Sequence, residues 1–240
     1  MGGQVNTNTT SGSTNFDGSI LSVEQRNTTA GFSIVLYTGT GANVTIGHGA
    51  STAPQWIIIK RRDSAQNWVV YHEDVGNQRQ TYLNLGDAQS GTNSVYFNNT
   101  SPTSTVFSLG SDSYANASSG TYVAYCFGEI EGYSKFGSYT GNGNNDGTFV
   151  YTGFRPAWVM VKKTSGSESW QLVDNVRDTE NVVDKLIYPN SNSEEITTTL
   201  VDFVSNGFKN RASGGNMNDN GETYIYMAFA EQPFKYALGR

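Results

Sequence analysis

A single offset organises this sequence. Tyr37-Thr38-Gly39-Thr40-Gly41 returns 102 positions later as Tyr139-Thr140-Gly141-Asn142-Gly143, and Pro54-Gln55-Trp56-Ile57-Ile58-Ile59-Lys60-Arg61 returns as Pro156-Ala157-Trp158-Val159-Met160-Val161-Lys162-Lys163. Trp68 matches Trp170, Asn116 matches Asn218, and Thr121-Tyr122 matches Thr223-Tyr224, while Phe127 and Glu129 match Phe229 and Glu231 at the same spacing. Chance matches would scatter over many offsets. A constant one implies two modules of about 100 residues, the size of a small domain, with corresponding strands and loops. The first is expected over residues 31–132 and the second over 133–240, behind an extended N-terminal arm, residues 1–30.

Each module reads as strands. Apolar residues alternate or cluster in short runs bounded by Gly, Asn, Ser and Asp, residues that tolerate positive φ or close Asx turns. The runs Phe32–Tyr37, Gln55–Lys60, Trp68–Tyr71, Thr81–Leu85, Val106–Leu109 and Thr121–Phe127 are the strands predicted in the first copy. Phe136–Tyr139, Thr148–Tyr151, Ala157–Lys162, Trp170–Val173, Leu200–Val204 and Thr223–Phe229 are those of the second. The 27 Gly and the long Asn, Ser and Thr tracts disfavour helices, whereas the 14 Tyr and 12 Phe suit a pleated, half-buried surface. The expected fold is all-β, two tandem β-sandwich (jelly-roll-like) modules related by internal duplication. Trp56 and Trp158, each opening an apolar strand, are expected in the core.

The arm holds few large apolar residues, Val5, Phe16, Ile20, Leu21 and Val23 among them, too few for a core of its own. It is expected to be either disordered or ordered by a partner, and in the second case to dock to neighbouring subunits. It has neither a basic start nor an apolar stretch of signal-peptide length, and nowhere do about 18 apolar residues run together, so synthesis as a soluble cytosolic chain with no membrane role is expected. A formal net charge of −6 counts against nucleic acid as a partner, which normally demands a basic stripe.

Residues with catalytic chemistry are few. The two histidines, His48 and His72, align with Val150 and Asp174, so the module requires neither, and His72 and Glu73 point to opposite faces of a strand. Glu129 and Glu231 end equivalent strands. A role needed twice is architectural, so capping backbone donors or pairing with a base is expected of them. Asn216, Asn218 and Asn220 have calcium-loop spacing, but Asp219 is the only acid among them and Met227 stands where the loop needs Glu. The lone cysteine, Cys126, lies in an apolar run and is expected as a buried thiol. No catalytic residue, cofactor or metal is therefore assigned. Trp68, Trp170, Tyr71 and His72 are the candidate surface or ligand contacts, since aromatic and imidazole groups can stack on and hydrogen-bond sugars.

Several strings together resemble a known type of module. Gly31-Phe32-Ser33-Ile34-Val35-Leu36-Tyr37-Thr38-Gly39-Thr40-Gly41, Ile58-Ile59-Lys60-Arg61-Arg62-Asp63-Ser64, Thr121-Tyr122-Val123-Ala124-Tyr125-Cys126-Phe127, the stretch from Glu131 to Gly143 and the ending Ala228-Phe229-Ala230-Glu231-Gln232-Pro233-Phe234-Lys235-Tyr236-Ala237 are similar to a module of unassigned function in structural proteins of tailed, especially marine, bacteriophages. The resemblance implies a virion structural protein, non-enzymatic and oligomeric. It would act as a capsid decoration or cement protein or as a tail-fibre component, held to other virion proteins through its arm. The alternative is a module that recognises a glycan or receptor on the host surface.

Overall fold

The structure, a computed structural model, describes residues 12–232. They divide into two compact units, residues 12–82 with 90–129 and residues 83–89 with 130–232. The change of unit at Glu129–Ile130 falls three residues before the expected boundary, and the short segment Leu83–Gln89 joins the second unit rather than the first.

The first unit holds strands β1 (Ser13–Asn15), β2 (Ser22–Asn27), β3 (Phe32–Thr38), β4 (Val44–Gly47), β5 (Trp56–Arg61), β6 (Val69–His72), β7 (Thr81–Tyr82) and β8 (Val106–Leu109), the single-turn helix α1 (Ser113–Asn116) and β9 (Thr121–Phe127). Seven strands form one sheet in the order β1-β2-β3-β9-β5-β6-β7, and β4 pairs with β8 in a second. One core joins the two sheets: Val35, Tyr37, Ile57, Ile59, Tyr122 and Ala124 from the large sheet meet Val44, Ile46, Phe107 and Leu109 from the small one. The run Trp56-Ile57-Ile58-Ile59 is buried at all four positions, which is why it reads as a continuous apolar stretch rather than an alternating one.

The N-terminal arm is corrected over its described part. Residues 12–30 are built into the first unit, because β2 pairs antiparallel with β3 from Ser22↔Tyr37 to Asn27↔Phe32, β1 pairs with β2, and Ile20 bridges to Ile46. Composition misleads here because β2 contributes mainly backbone hydrogen bonds that close the β3 edge, and these need no apolar side chain. Its buried polar groups have partners: the Ser22 hydroxyl donates to the Gly47 carbonyl at 2.8 Å and the Glu24 carboxylate accepts from Asn15 Nδ2 at 2.7 Å. Residues 1–11 of the arm lie outside the described residues.

The second unit holds β10 (Ser134–Thr140), β11 (Phe149–Tyr151), β12 (Pro156–Lys163), β13 (Gln171–Asp174), β14 (Val183–Leu186), β15 (Ile196–Val204), β16 (Gly207–Asn210), a 3-10 turn (Gly215–Met217) and β17 (Thr223–Ala230). Its sheets run β10-β17-β12-β13 and β11-β16-β15-β14. Val159, Val161, Tyr224, Tyr226 and Ala228 of one face Val150, Val201, Phe203 and Phe208 of the other across a single core. Both units are therefore all-β and sandwich-like. Their central sheets also share register at the constant offset: Tyr37↔Tyr122 and Ile58↔Tyr125 recur as Tyr139↔Tyr224 and Met160↔Met227.

Candidate functional site

The residues that recur between the units gather at one loop in each. In the first, the buried Asn116 accepts the Thr40 N–H on Oδ1 at 2.8 Å and donates through Nδ2 to the carbonyls of Ala42 and Gly110, both at 2.6 Å. In the second, the buried Asn218 accepts the Asn142 N–H at 3.0 Å and donates to the carbonyls of Asn144 at 2.9 Å and Ala212 at 2.7 Å. The Gly-x-Gly motif beside each asparagine has a steric origin. A Cβ at Gly39 would lie 2.4 Å from the Ala117 carbonyl oxygen and one at Gly141 2.3 Å from that of Asp219, while Gly41 and Gly143 adopt φ of +75° and +65°.

Two tyrosines brace the same loop. Tyr37 stacks on Tyr122 with ring centroids 5.1 Å apart, and Tyr139 on Tyr224 at 5.0 Å. The Tyr37 hydroxyl donates to the Ala115 carbonyl and the Tyr139 hydroxyl to that of Met217, each at 2.7 Å. Tyr122 accepts the Ala117 N–H and donates to the Ser113 carbonyl, and Tyr224 does the same with Asp219 and Gly215. Burial pushes Tyr37 and Tyr139 well above the ordinary phenol range, and pushes Tyr224 up to about 12. Such phenols stay protonated and serve as fixed donors, and the constellation braces its loop.

The other chemistry-bearing residues are also tied to backbone. His48 is fully buried; its Nδ1 accepts the Ala50 N–H at 3.1 Å, so Nε2 carries the proton and donates to the Thr103 carbonyl at 3.0 Å. His72 Nδ1 accepts the Asp74 N–H at 3.0 Å, while at the equivalent position Asp174 Oδ1 accepts the Val176 N–H at 3.1 Å. The imidazole and the carboxylate thus do one job, holding the turn after β6 and β13. Lys162 is buried with its ammonium donating to the carbonyls of Lys163 at 2.7 Å, Gly86 at 3.2 Å and Gly166 at 3.3 Å; burial lowers its pKa to about 8, against the pull of Glu168 and Asp87. It ties Leu83–Gln89 to the second unit. Cys126 is buried as expected, and burial raises its thiol.

Glu231 pairs with Arg155 at 3.2 Å and accepts from Asn175 Nδ2 at 3.3 Å, whereas the Glu129 backbone N–H is capped by Gln55 Oε1 at 2.8 Å. The Glu231 backbone N–H goes instead to the Arg155 carbonyl at 2.9 Å. Asn218 is buried and its amide is hydrogen-bonded within its own loop at both ends. Among the described residues no group of three His, Cys, Asp or Glu side chains is placed to hold a metal.

The candidate contact residues are largely inside. Trp170 is 0%, His72 1% and Tyr71 2% exposed, so none of the three offers a face to a ligand. The reason is two-sided burial of β6, where all four residues are covered, and the seating of Trp170 at the start of β13 with its backbone N–H held by Asn190 Oδ1 at 2.9 Å. Trp68 is half-buried, 6.5 Å from the Tyr125 ring and under the Lys60 ammonium at 5.6 Å. The core expectation holds for Trp56 at 0%, while Trp158, beside a bulge in β12, is half-buried.

What lies open is elsewhere. In the first unit a shallow groove of about 420 Å³ is lined by Ile20, Leu21, Val23, Leu36 and Tyr122, with Arg62 its one charged group. In the second, Phe149 and Tyr151 stand exposed on β11. The alternation Phe-Val-Tyr, with Val150 buried between them, was the available signal for this pair.

The fold and these sites define an all-β protein of two sandwich-like units whose equivalently placed polar residues serve the framework. The chain belongs to the family described as Domain of unknown function (DUF7483), which matches residues 6–233. The match covers both units and begins before β1, in keeping with an N-terminal segment built into the first sheet. No curated protein and no solved structure matches the chain.

Proposed function

We propose that this protein is a non-enzymatic structural component of a bacteriophage particle, displayed at the particle surface as a decoration, cement or tail-fibre subunit. The observation that carries the reading is the fate of the recurrent polar residues: Asn116 and Asn218, with Tyr37, Tyr139, Tyr122 and Tyr224, spend their hydrogen-bonding groups on the same brace in both units. A part built twice with its polar chemistry turned inward suits load-bearing better than turnover. The resemblance to phage structural modules supplies the setting. The partners in this reading are other virion proteins and further copies of the chain, and attachment is assigned to the N-terminal segment, whose Phe16 and Leu21 stand exposed.

The test is quantitative mass spectrometry of density-purified particles. The reading expects the protein in a fixed ratio to the major coat protein through successive purifications; its absence from particles defeats the reading.

A further inference from the structure

The outer face of β11 differs between the second unit and the first. At the constant offset, positions 149 and 151 correspond to Gly47 and Gly49. Those glycines lie beneath the chain's own N-terminal segment: a Cβ at Gly47 would come within 1.9 Å of Asn15 Oδ1, and one at Gly49 within 2.2 Å of Glu24 Oε1. In the second unit the two positions carry Phe149 and Tyr151 instead, 45% and 63% exposed. Only residues 128–133 separate β9 from β10, too few to supply a counterpart of β1 and β2.

Phe149 and Tyr151 share one face of an edge strand, their Cα atoms about 7 Å apart along it. Phe149 pairs with Lys209 and Tyr151 with Gly207 on β16, and Lys209 in turn with Asp202 on β15. Gly207 leaves the surface beside the rings low, since a Cβ there would lie 3.0 Å from Phe149 Cε2 and 2.1 Å from the Val150 carbonyl oxygen. The rim is charged but balanced: Lys209 pairs with Asp146, and Arg211 lies 3.6 Å from Asp202.

We infer that this face binds a neutral glycan, with sugar rings laid against Phe149 and Tyr151 and hydroxyl groups hydrogen-bonded to Asp202, Lys209, Arg211 and Asp146. A pyranose offers an apolar face of C–H bonds and a rim of hydroxyls, which matches flat π surfaces bordered by ionised donors and acceptors. Two cations against two carboxylates leave no net charge to attract an anionic polymer. The apolar part of the face is small: at these exposures the two rings offer roughly 200 Å², so a protein burying the about 800 Å² per partner of a stable interface would draw most of its contact from the charged rim. A peptide seated as in the first unit is blocked, because that seat needs glycine at both positions. The inference stands apart from the particle reading, since a surface glycan site needs no virion.

The test uses the full chain in native gels cast with neutral polysaccharides, namely a β-glucan, a mannan and a galactan, with gel filtration alongside. At least one polysaccharide should retard the wild type, with apparent affinity falling about tenfold or more in Phe149→Ala and Tyr151→Ala. Tyr151→Phe, which keeps the ring, should bind within a few-fold of wild type, and Phe16→Ala, an exposed ring of the first unit, should be unchanged. Absence of retardation by all three, or equal retardation of the alanine variants, overturns the inference. So does a change of oligomeric state caused by the alanine substitutions, which would make the face a contact between copies. Absence of the protein from particles would leave the inference standing.

Discussion

The side-chain oxygen of Asn116 accepts the backbone N–H of Thr40 at 2.8 Å across 76 residues of sequence, and Asn218 repeats the bond to Asn142 at 3.0 Å across the same 76. Each asparagine thereby fixes a glycine loop to the far end of its unit. Removing the amide breaks bonds to one N–H and two carbonyls and empties a buried site, each polar group that water does not reach costing about 1–3 kcal/mol. Asn116→Ala and Asn218→Ala should each cost about 3 kcal/mol or more in urea denaturation. Equal losses at the two positions would show that the units use the bond alike.

The glycines beside these asparagines should be as sensitive for a different reason. A methyl group at Gly39 or Gly141 meets a carbonyl oxygen at 2.4 Å or 2.3 Å, well inside contact distance. Gly39→Ala and Gly141→Ala are each expected to destabilise by about 3 kcal/mol, read as a fall in denaturation midpoint. Gly91→Ala, where nothing lies within 4 Å of the added carbon, is the neutral comparison.

Acid should weaken the first unit through His48. Burial lowers its pKa from the ordinary 6.5, so as pH falls the unfolded chain takes up the proton before the folded one. The contribution of neutral His48 is complete above about pH 6.5 and is lost as pH drops toward the folded value, at no more than about 1.4 kcal/mol per pH unit. Denaturation of wild type and His48→Gln between pH 5 and 7.5 should show a shallower acid slope in the variant. Parallel slopes would assign the acid sensitivity to other groups.

Deleting residues 1–27 should damage the first unit, because β2 closes the β3 edge from Ser22 to Asn27. Relative to a chain lacking residues 1–11 alone, the longer deletion is expected to lower the melting temperature and to promote self-association on gel filtration, as an uncovered edge seeks another strand. Unchanged melting would restore the reading of the whole segment as an arm.

Much of the framework was legible in the residues themselves. Val106–Leu109 and Thr121–Phe127 are strands at the expected bounds, and the constant offset placed corresponding strands in the two halves. The strands that escaped, β1 and β14 apart, were those whose composition says little: β2 with Glu24, Gln25 and Arg26, β4 with Thr45 and Gly47, and β16 with Gly207, Lys209 and Asn210. Their place is set by backbone pairing with a distant partner, which leaves a weak trace in local composition.

The candidate contacts show the same division. Residue type nominated Trp68, Trp170, Tyr71 and His72, yet the first of these is half-buried and the rest are enclosed, while Phe149 and Tyr151 face solvent. By itself the sequence determined that the chain is all-β, that its central sheet is built twice, and that Asn116 and Asn218 hold equivalent places. Only the tertiary structure decided that β2 covers an edge in the first unit, that the second unit leaves two aromatic rings uncovered, and which polar side chains are already spent on backbone. The physical reason is range: periodicity and repetition are carried by neighbours along the chain, whereas burial depends on what lies across the sheet, tens of residues away.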